Sequence, residues 1–298
     1  MMDNASYLPE GRRIHTPENT AAAQSIQSLT AAMEAGTILE GMALRCDTEL
    51  NLIVALGGFL AKIPKNETAL GIETGKTRDI AILSRVGLPV CFKITEITDG
   101  EIRLSRRAAQ MSALAYILDS AAPGDVIPAT VTHLEPFGAF VDMGCGIPAM
   151  ISIEKISTAR ISHPAERFTP GQEIYAVVHE IDRPLSRVNL SHRELLGTWS
   201  ENAALFRPGE TVQGIVSSIK PYGAFVEIAP NLSGLTEPYP GLVQGGRVSV
   251  YIKSILPDKQ KIKLILINRL PEDAERPRPM TYFIQSGNVL DWDYRAGT

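Results

Sequence analysis

One stretch of this sequence occurs twice, and the repeat constrains the fold more than any other feature. PGDVIPATVTHLEPFGAFVDM (Pro123 to Met143) aligns without gaps with PGETVQGIVSSIKPYGAFVEI (Pro208 to Ile228), 85 positions further on. A chain of this kind builds one small structural unit and then builds it again. Inside the middle copy, short alternating runs (VIPATVTHL, GAFVDM, EIYAVVHEI, SRVNLS) are separated by Gly, Pro and Asn, the pattern of strands and turns. About five strands fit in roughly 70 residues, which predicts a small closed barrel of the OB type rather than a sandwich.

The segments between the units have another texture. RRAAQMSALAYILDSAAPG (Arg106 to Gly124) and LSHRELLGTWSENAALFRPG (Leu190 to Gly209) are rich in helix formers and end in Pro and Gly, so each predicts a helix leading into a barrel. The same spacing uncovers a weaker copy from Gly36 to Arg107, whose close, VCFKITEITDGEIRLSRR, matches HEIDRPLSRVNLSHR. Ahead of it, Thr16 and Pro17 open one short helix carrying Ile26, Leu29 and Met33 at helical spacing. The expected fold is mainly β: three tandem five-stranded OB-fold barrels joined by short helical linkers. The expected boundaries are an N-terminal extension (1–35), a degenerate first barrel (36–107), a linker (108–123), the middle barrel (124–193), a second linker (194–208), the third barrel (209–269) and a tail (270–298). In the tail, LPEDAERPRPM reads as a loop, and YFIQSGNVLDWDYRAGT either adds a strand or stays loose.

Phe137 and Phe140 stand three apart around Gly138, and Tyr222 and Phe225 repeat the spacing around Gly223. Strict alternation sends residues three apart to opposite faces, which would make one ring core and one exposed. The alternative is a bulge at the glycine, which brings both rings to one face. The first copy has NLIVALGG at this place and no ring pair.

With 298 residues, 44% hydrophobic and 21% charged, the chain suits two or three soluble domains. It contains no apolar run of membrane-spanning length, and MMDNASYLPEGRR is not a secretory signal, so a cytoplasmic protein is expected, away from membranes. Cys46, Cys91 and Cys145 are scattered, and His133, His163, His179 and His192 have no ligand spacing. Buried free thiols, structural or solvent-facing histidines, and neither metal nor cofactor are expected. Trp199 reads as a wedge between the linker and its neighbouring barrel. A net charge of −4 argues against coating nucleic acid by bulk charge, but the third unit carries seven basic residues against four acidic ones. Lys259, Lys261 and Lys263 alternate and should share one strand face, as a phosphate track or as a solvated sheet edge.

The middle and third units resemble the repeated RNA-binding domain of the bacterial ribosomal protein S1 family. The motifs are VTHLEPFGAFVDMG, ISHPAERFTPGQ and EIDRPLSRVNLSHRELLGTW in the middle unit, with GIVSSIKPYGAFVEI and VSVYIKSILPDKQKIKL in the third. In the first unit, Gly57, Gly58 and AKIPKNE look like the repeats of that family that face the ribosome. The resemblance covers about residues 36 to 268 and implies a shortened or divergent member without a catalytic centre. It implies binding of single-stranded RNA, mRNA above all, and a small ribosomal subunit partner engaged through the first repeat. The family's stacking platform maps to Phe137 with Phe140 and to Tyr222 with Phe225. Its third contact, a histidine, is replaced by Ser152 and Glu237, and its fifth-strand acid and base map to Asp182 and Arg187, then to Leu256 and Lys261.

Physical chemistry gives such a surface a use. A base stacked on an exposed ring gains roughly 1–3 kcal/mol whatever its identity, and cations such as Lys253, Lys261 and Lys263 follow the phosphates. Arg187 either does the same or pairs with Asp182. The competing expectation is an adaptor whose barrels mainly bind proteins or the ribosome. An enzyme is not expected, because nothing outside the barrels is large enough to hold an active site.

Overall fold

Alternation of buried and exposed residues along each strand is what closes this chain into barrels. On β14 (Arg247–Leu256), Val248, Val250 and Ile252 are buried while their neighbours are not, and on β15 (Lys261–Arg269) Ile262 and Leu264 are buried between exposed lysines. In the computed structural model, which describes residues 7–98, 100–271 and 281–295, the pattern produces three closed five-stranded barrels.

Two helices, α1 (Pro17–Ala22) and α2 (Ile26–Glu34), precede the first barrel, where one was expected. Thr16 caps the first as predicted, but Ser25 Oγ accepts from Ser28 N at 3.1 Å and starts a second. The first barrel follows as β1 (Leu39–Cys46), β2 (Leu52–Leu56), β3 (Phe59–Ile63), β4 (Pro89–Thr98) and β5 (Glu101–Ser105), with the short α3 (Ile80–Leu83) between β3 and β4. The linker helix α4 (Arg106–Ser120) is capped by Ser105 and leads into β6 (Val126–Glu135), β7 (Gly138–Asp142) and β8 (Pro148–Ser152). One turn of helix, α5 (Ile153–Ile156), then precedes β9 (Glu173–Asp182) and β10 (Arg187–Ser191). The second linker is a 3-10 turn, Arg193–Leu196, and the five-residue α6 (Trp199–Ala203), started by a Thr198–Glu201 capping box. The third barrel is β11 (Thr211–Lys220), β12 (Gly223–Ala229), β13 (Leu232–Thr236), β14 and β15. Every barrel has the strand order first, second, third, fifth, fourth, returning to the first, and only the third and fifth strands run parallel.

Each barrel has its own core, with Phe92 and Leu104 in the first, Val131, Val141 and Ile151 in the middle, and Val216, Val226 and Ile252 in the third. Full burial of such a side chain contributes about 1.5–3 kcal/mol. Cys91 and Cys145 are buried free thiols, whereas Cys46 is only half-buried. Trp199 is buried in the third barrel's core cluster, so the linker is wedged onto the barrel it precedes.

Polar contacts join the barrels. The Arg106 guanidinium makes two bonds to Glu10, whose backbone N–H donates to Asp142 at 2.7 Å, so the N-terminal segment ties the first barrel to the middle one. Between the middle and third barrels, Arg167 pairs with Glu227 at 2.6 Å, Ser157 donates to the Pro230 carbonyl, and Asn231 donates to the Arg193 and Gly197 carbonyls. The C-terminal segment neither adds a full strand nor stays loose. Among the described residues it makes one β-bridge, Asp125 to Asn288, packs Tyr282 on Tyr175 and His192, and donates from the Tyr294 hydroxyl to the Asn231 carbonyl. The expected loop LPEDAERPRPM lies outside the described residues from 272 onward. No helix among the described residues is long and apolar enough to cross a membrane.

Candidate nucleic-acid interface

The bulge exists, but not at the glycine. In the middle barrel the register slips on β6, where Val131 faces Val141 and His133 faces Phe140, so Thr132 is the extra residue. The other barrels slip at the same place, leaving Leu44 on β1 and Ser217 on β11 unpaired. In the ring-bearing barrels the bulged residue has a hydroxyl. Thr132 Oγ1 donates to the Phe140 carbonyl at 3.0 Å, and Ser217 Oγ donates to the Phe225 carbonyl at 3.2 Å.

Gly138 has a different purpose: a Cβ there would stand 2.5 Å from the Ile151 carbonyl oxygen. At Gly223 the distance to the Thr236 carbonyl oxygen would be 2.1 Å. Both glycines let the third strand approach the second, so the expectation of a bulge at the glycine is corrected to a close approach. Phe137 is not in the strand either. It occupies the turn between β6 and β7, its carbonyl accepting from Ile153 N at 2.9 Å, and alternation therefore does not govern its ring.

The two rings meet edge to face, their centroids 6.1 Å apart at 85°, with Phe137 56% exposed and Phe140 half-buried. His133 lies flat on Phe140, centroids 4.3 Å apart and 5° from parallel. The middle barrel thus presents three rings in one group, and the imidazole comes from the first strand instead of the third. From spacing alone His133 is expected to be a structural or solvent-facing ring, since it has no ligand pattern. The missing signal is the bulge that sets His133 opposite Phe140. Ser152 stands across from Gly138 at the end of β8, beside the same turn.

In the third barrel Tyr222 is 63% exposed in the turn and Phe225 is half-buried on β12. A groove of about 430 Å³ opens beside Tyr222, lined also by Glu237, Tyr239, Lys253, Lys263 and Ile265. Tyr239 was missed in the sequence because it follows the strand in an irregular segment. Lys253 is the bulged residue of β14, at the slip between Ile252 and Ser254, and Lys263 pairs with Ser254 on one side and Leu235 on the other. Lys261 is exposed one strand-period away. Lys259 falls in a 3-10 turn ahead of the strand, with Gln260 in the left-handed region, so the expected three-lysine face is reduced to Lys261 and Lys263.

Arg187 opens the fifth strand of the middle barrel as expected, but Asp182 ends the fourth, and the two face each other in register. No ion pair joins them among the described residues; the Asp182 carboxylate instead accepts from Leu185 N, and Arg187 is exposed. Two residues beyond Phe225 and Phe140 on the same strands, burial raises the Glu227 carboxyl to about 7 against the pull of Arg167, and raises Asp142 to about 7. His192 is pushed down to about 4 by burial. Its Nδ1–H donates to the Ile156 carbonyl, leaving Nε2 to accept from the Tyr282 hydroxyl, each at 3.0 Å.

Residues 120–193, the middle barrel with the end of its linker, match the family described as S1 RNA binding domain. Small ribosomal subunit protein bS1 of Leuconostoc lactis is 32% identical over 202 residues, 62% of this chain and 47% of its own length. The protein of that name from Staphylococcus aureus is 29% identical over 229 residues, 70% of this chain and 58% of its own. The one from Rhizobium meliloti is 26% identical over 271 residues, 85% of this chain and 47% of its own. The chain spans about half the length of these relatives.

Proposed function

We propose that this chain, a divergent member of the S1 RNA-binding-domain family, holds single-stranded RNA, mRNA in particular, on its middle and third barrels as part of the translation apparatus in the cytoplasm. The observation that carries the reading is the exposed ring group of Phe137, Phe140 and His133. Exposed rings held by a turn and a bulge are a costly way to build a core and a direct way to build a stacking surface. Tyr222 and Phe225 form the corresponding surface of the third barrel, with Lys253, Lys261 and Lys263 for the phosphates. Arg187, exposed on the fifth strand, is assigned a further phosphate contact, with Asp182 opposite it in register and Ser152 across from Gly138 as polar neighbours. The chain acts by binding and catalyses nothing.

The first barrel takes another part. Arg45, Ile53 and Leu50 stand where His133, Phe140 and Phe137 stand, so no ring platform forms there. Leu44, Ile80, Leu83, Val86 and Leu88 are exposed instead, and the Ala43–Leu88 and Gly87–Ala43 hydrogen bonds bring Leu44 beside the last two. An apolar patch of that kind favours a protein partner, and we assign this barrel to contact with the small ribosomal subunit. The same patch supports the adaptor reading, in which protein contacts dominate and RNA affinity is weak.

Fluorescence anisotropy of a labelled unstructured RNA of about a dozen nucleotides, measured across a salt series, separates the two. Salt-sensitive binding that Phe137→Ala with Tyr222→Ala largely removes supports the RNA reading. A folded double variant that binds as well as wild type overturns it in favour of the adaptor.

A further inference from the structure

The two ring-bearing barrels differ most where one carries Ser152 and the other Glu237. Ser152 ends β8 across from Gly138; Glu237 follows Thr236, the last residue of β13, beside Gly223. A carboxylate next to a phosphate track is unfavourable unless it binds something else. Glu237 is exposed, lines the groove, and forms no ion pair with Lys253 or Lys263 among the described residues. Tyr222 and Tyr239, 63% and 43% exposed, line the same groove, and the register of β13 with β15 sets Lys263 beside Leu235, two residues from the carboxylate.

A carboxylate accepts hydrogen bonds and donates none. Of the four RNA bases, only guanine presents two adjacent donors, N1–H and an N2 amino hydrogen, spaced to meet both oxygens. Adenine and cytosine offer one amino donor beside a ring-nitrogen acceptor, which faces the second oxygen lone pair to lone pair. Uracil offers one imino donor between two acceptors. A bidentate, charge-assisted pair therefore separates guanine from the rest, whereas a serine hydroxyl, which both donates and accepts, separates nothing.

We propose that the groove of the third barrel is a guanine site for single-stranded RNA. Glu237 accepts from the N1–H and N2–H of the base, the tyrosines supply the stacking surface, and Lys253 and Lys263 hold the flanking phosphates. The inference rests on the RNA-binding reading above and adds base selection to it: the middle barrel stacks any base, and the third chooses.

The test uses the full chain carrying Phe137→Ala, which mutes the middle platform, and oligouridine labels containing two central guanines, adenines or cytosines. The guanine oligomer is expected to bind about tenfold tighter than the adenine one, the discrimination of a good bidentate contact. Glu237→Gln and Glu237→Ser should bring the ratio to within about twofold, even if removing the charge tightens binding to every oligomer. The ratio, not the affinity, is the readout. Equal binding of all three oligomers, or a preference that survives both substitutions, overturns the guanine site and leaves RNA binding standing. Failure of wild type to bind any oligomer at low salt overturns the RNA reading and this site with it.

Discussion

Lowering the pH from 7.5 to 5 is expected to weaken the junction of the middle barrel, the second linker and the C-terminal segment through one buried imidazole. His192 has both ring nitrogens occupied and no exposed surface, and burial holds its pKa near about 4, against 6.5 in an unfolded chain. A base with a depressed folded pKa contributes stability above its unfolded value and loses it as the pH falls toward the folded one. Proton linkage between those values costs next to nothing at pH 7.5, roughly 2 kcal/mol at pH 5 and about 3 kcal/mol at pH 4. Urea unfolding followed by the two tryptophans, Trp199 in the linker and Trp292 in the tail segment, reads out this junction. Asp142 and Glu227, raised by burial, respond with the opposite sign, losing their contribution as the pH rises through about 7. The quantity to compare is therefore wild type minus His192→Gln, in which the carboxylates cancel. That difference should fall by about 2 kcal/mol between pH 7.5 and 5. A difference constant to within about 0.5 kcal/mol would refute the buried neutral imidazole.

Gly138→Ala should destabilise the middle barrel by about 1–3 kcal/mol, because the added methyl meets the Ile151 carbonyl, and thermal melting checks it. His133→Ala should weaken RNA binding by roughly threefold to tenfold, with His133→Phe near wild type; anisotropy on the Tyr222→Ala background isolates that platform. Lys253→Ala and Lys263→Ala should each lower the slope of log affinity against log salt by about 0.7, the value for one phosphate on a single strand.

The barrels were legible in the sequence because period-2 burial and an ungapped repeat are local and redundant. The exposed character of Phe137 and Tyr222 was legible in part, since a tyrosine in place of a phenylalanine marks a wet site. The bulge was not. A register slip belongs to two strands, and nothing within GAFVDM records that Thr132, seven residues before Ala139, is the residue left over. The same non-locality hid His133, whose place on Phe140 depends on that slip. Lys259 alternates perfectly with Lys261 and Lys263, yet Pro257 starts a turn and Gln260 takes the left-handed conformation between them, so alternation there is a coincidence of spelling. Helix α1 stopped early because Ser25 offered a competing cap, and the tail was pinned by partners more than 60 residues distant.

On the RNA-binding reading proposed above, the contacts between the middle and third barrels bear on how affinity would depend on RNA length. Arg167 with Glu227, Ser157 with Pro230, and the amide of Asn231 hold the two ring-bearing barrels on one frame. A strand too short to touch both faces engages one and falls off at that face's own rate. Once long enough to bridge, it finds the second face at a high effective concentration, and its residence time multiplies. On a slack hinge the gain would come gradually with length; on this frame the proposed RNA binding would show it as a step.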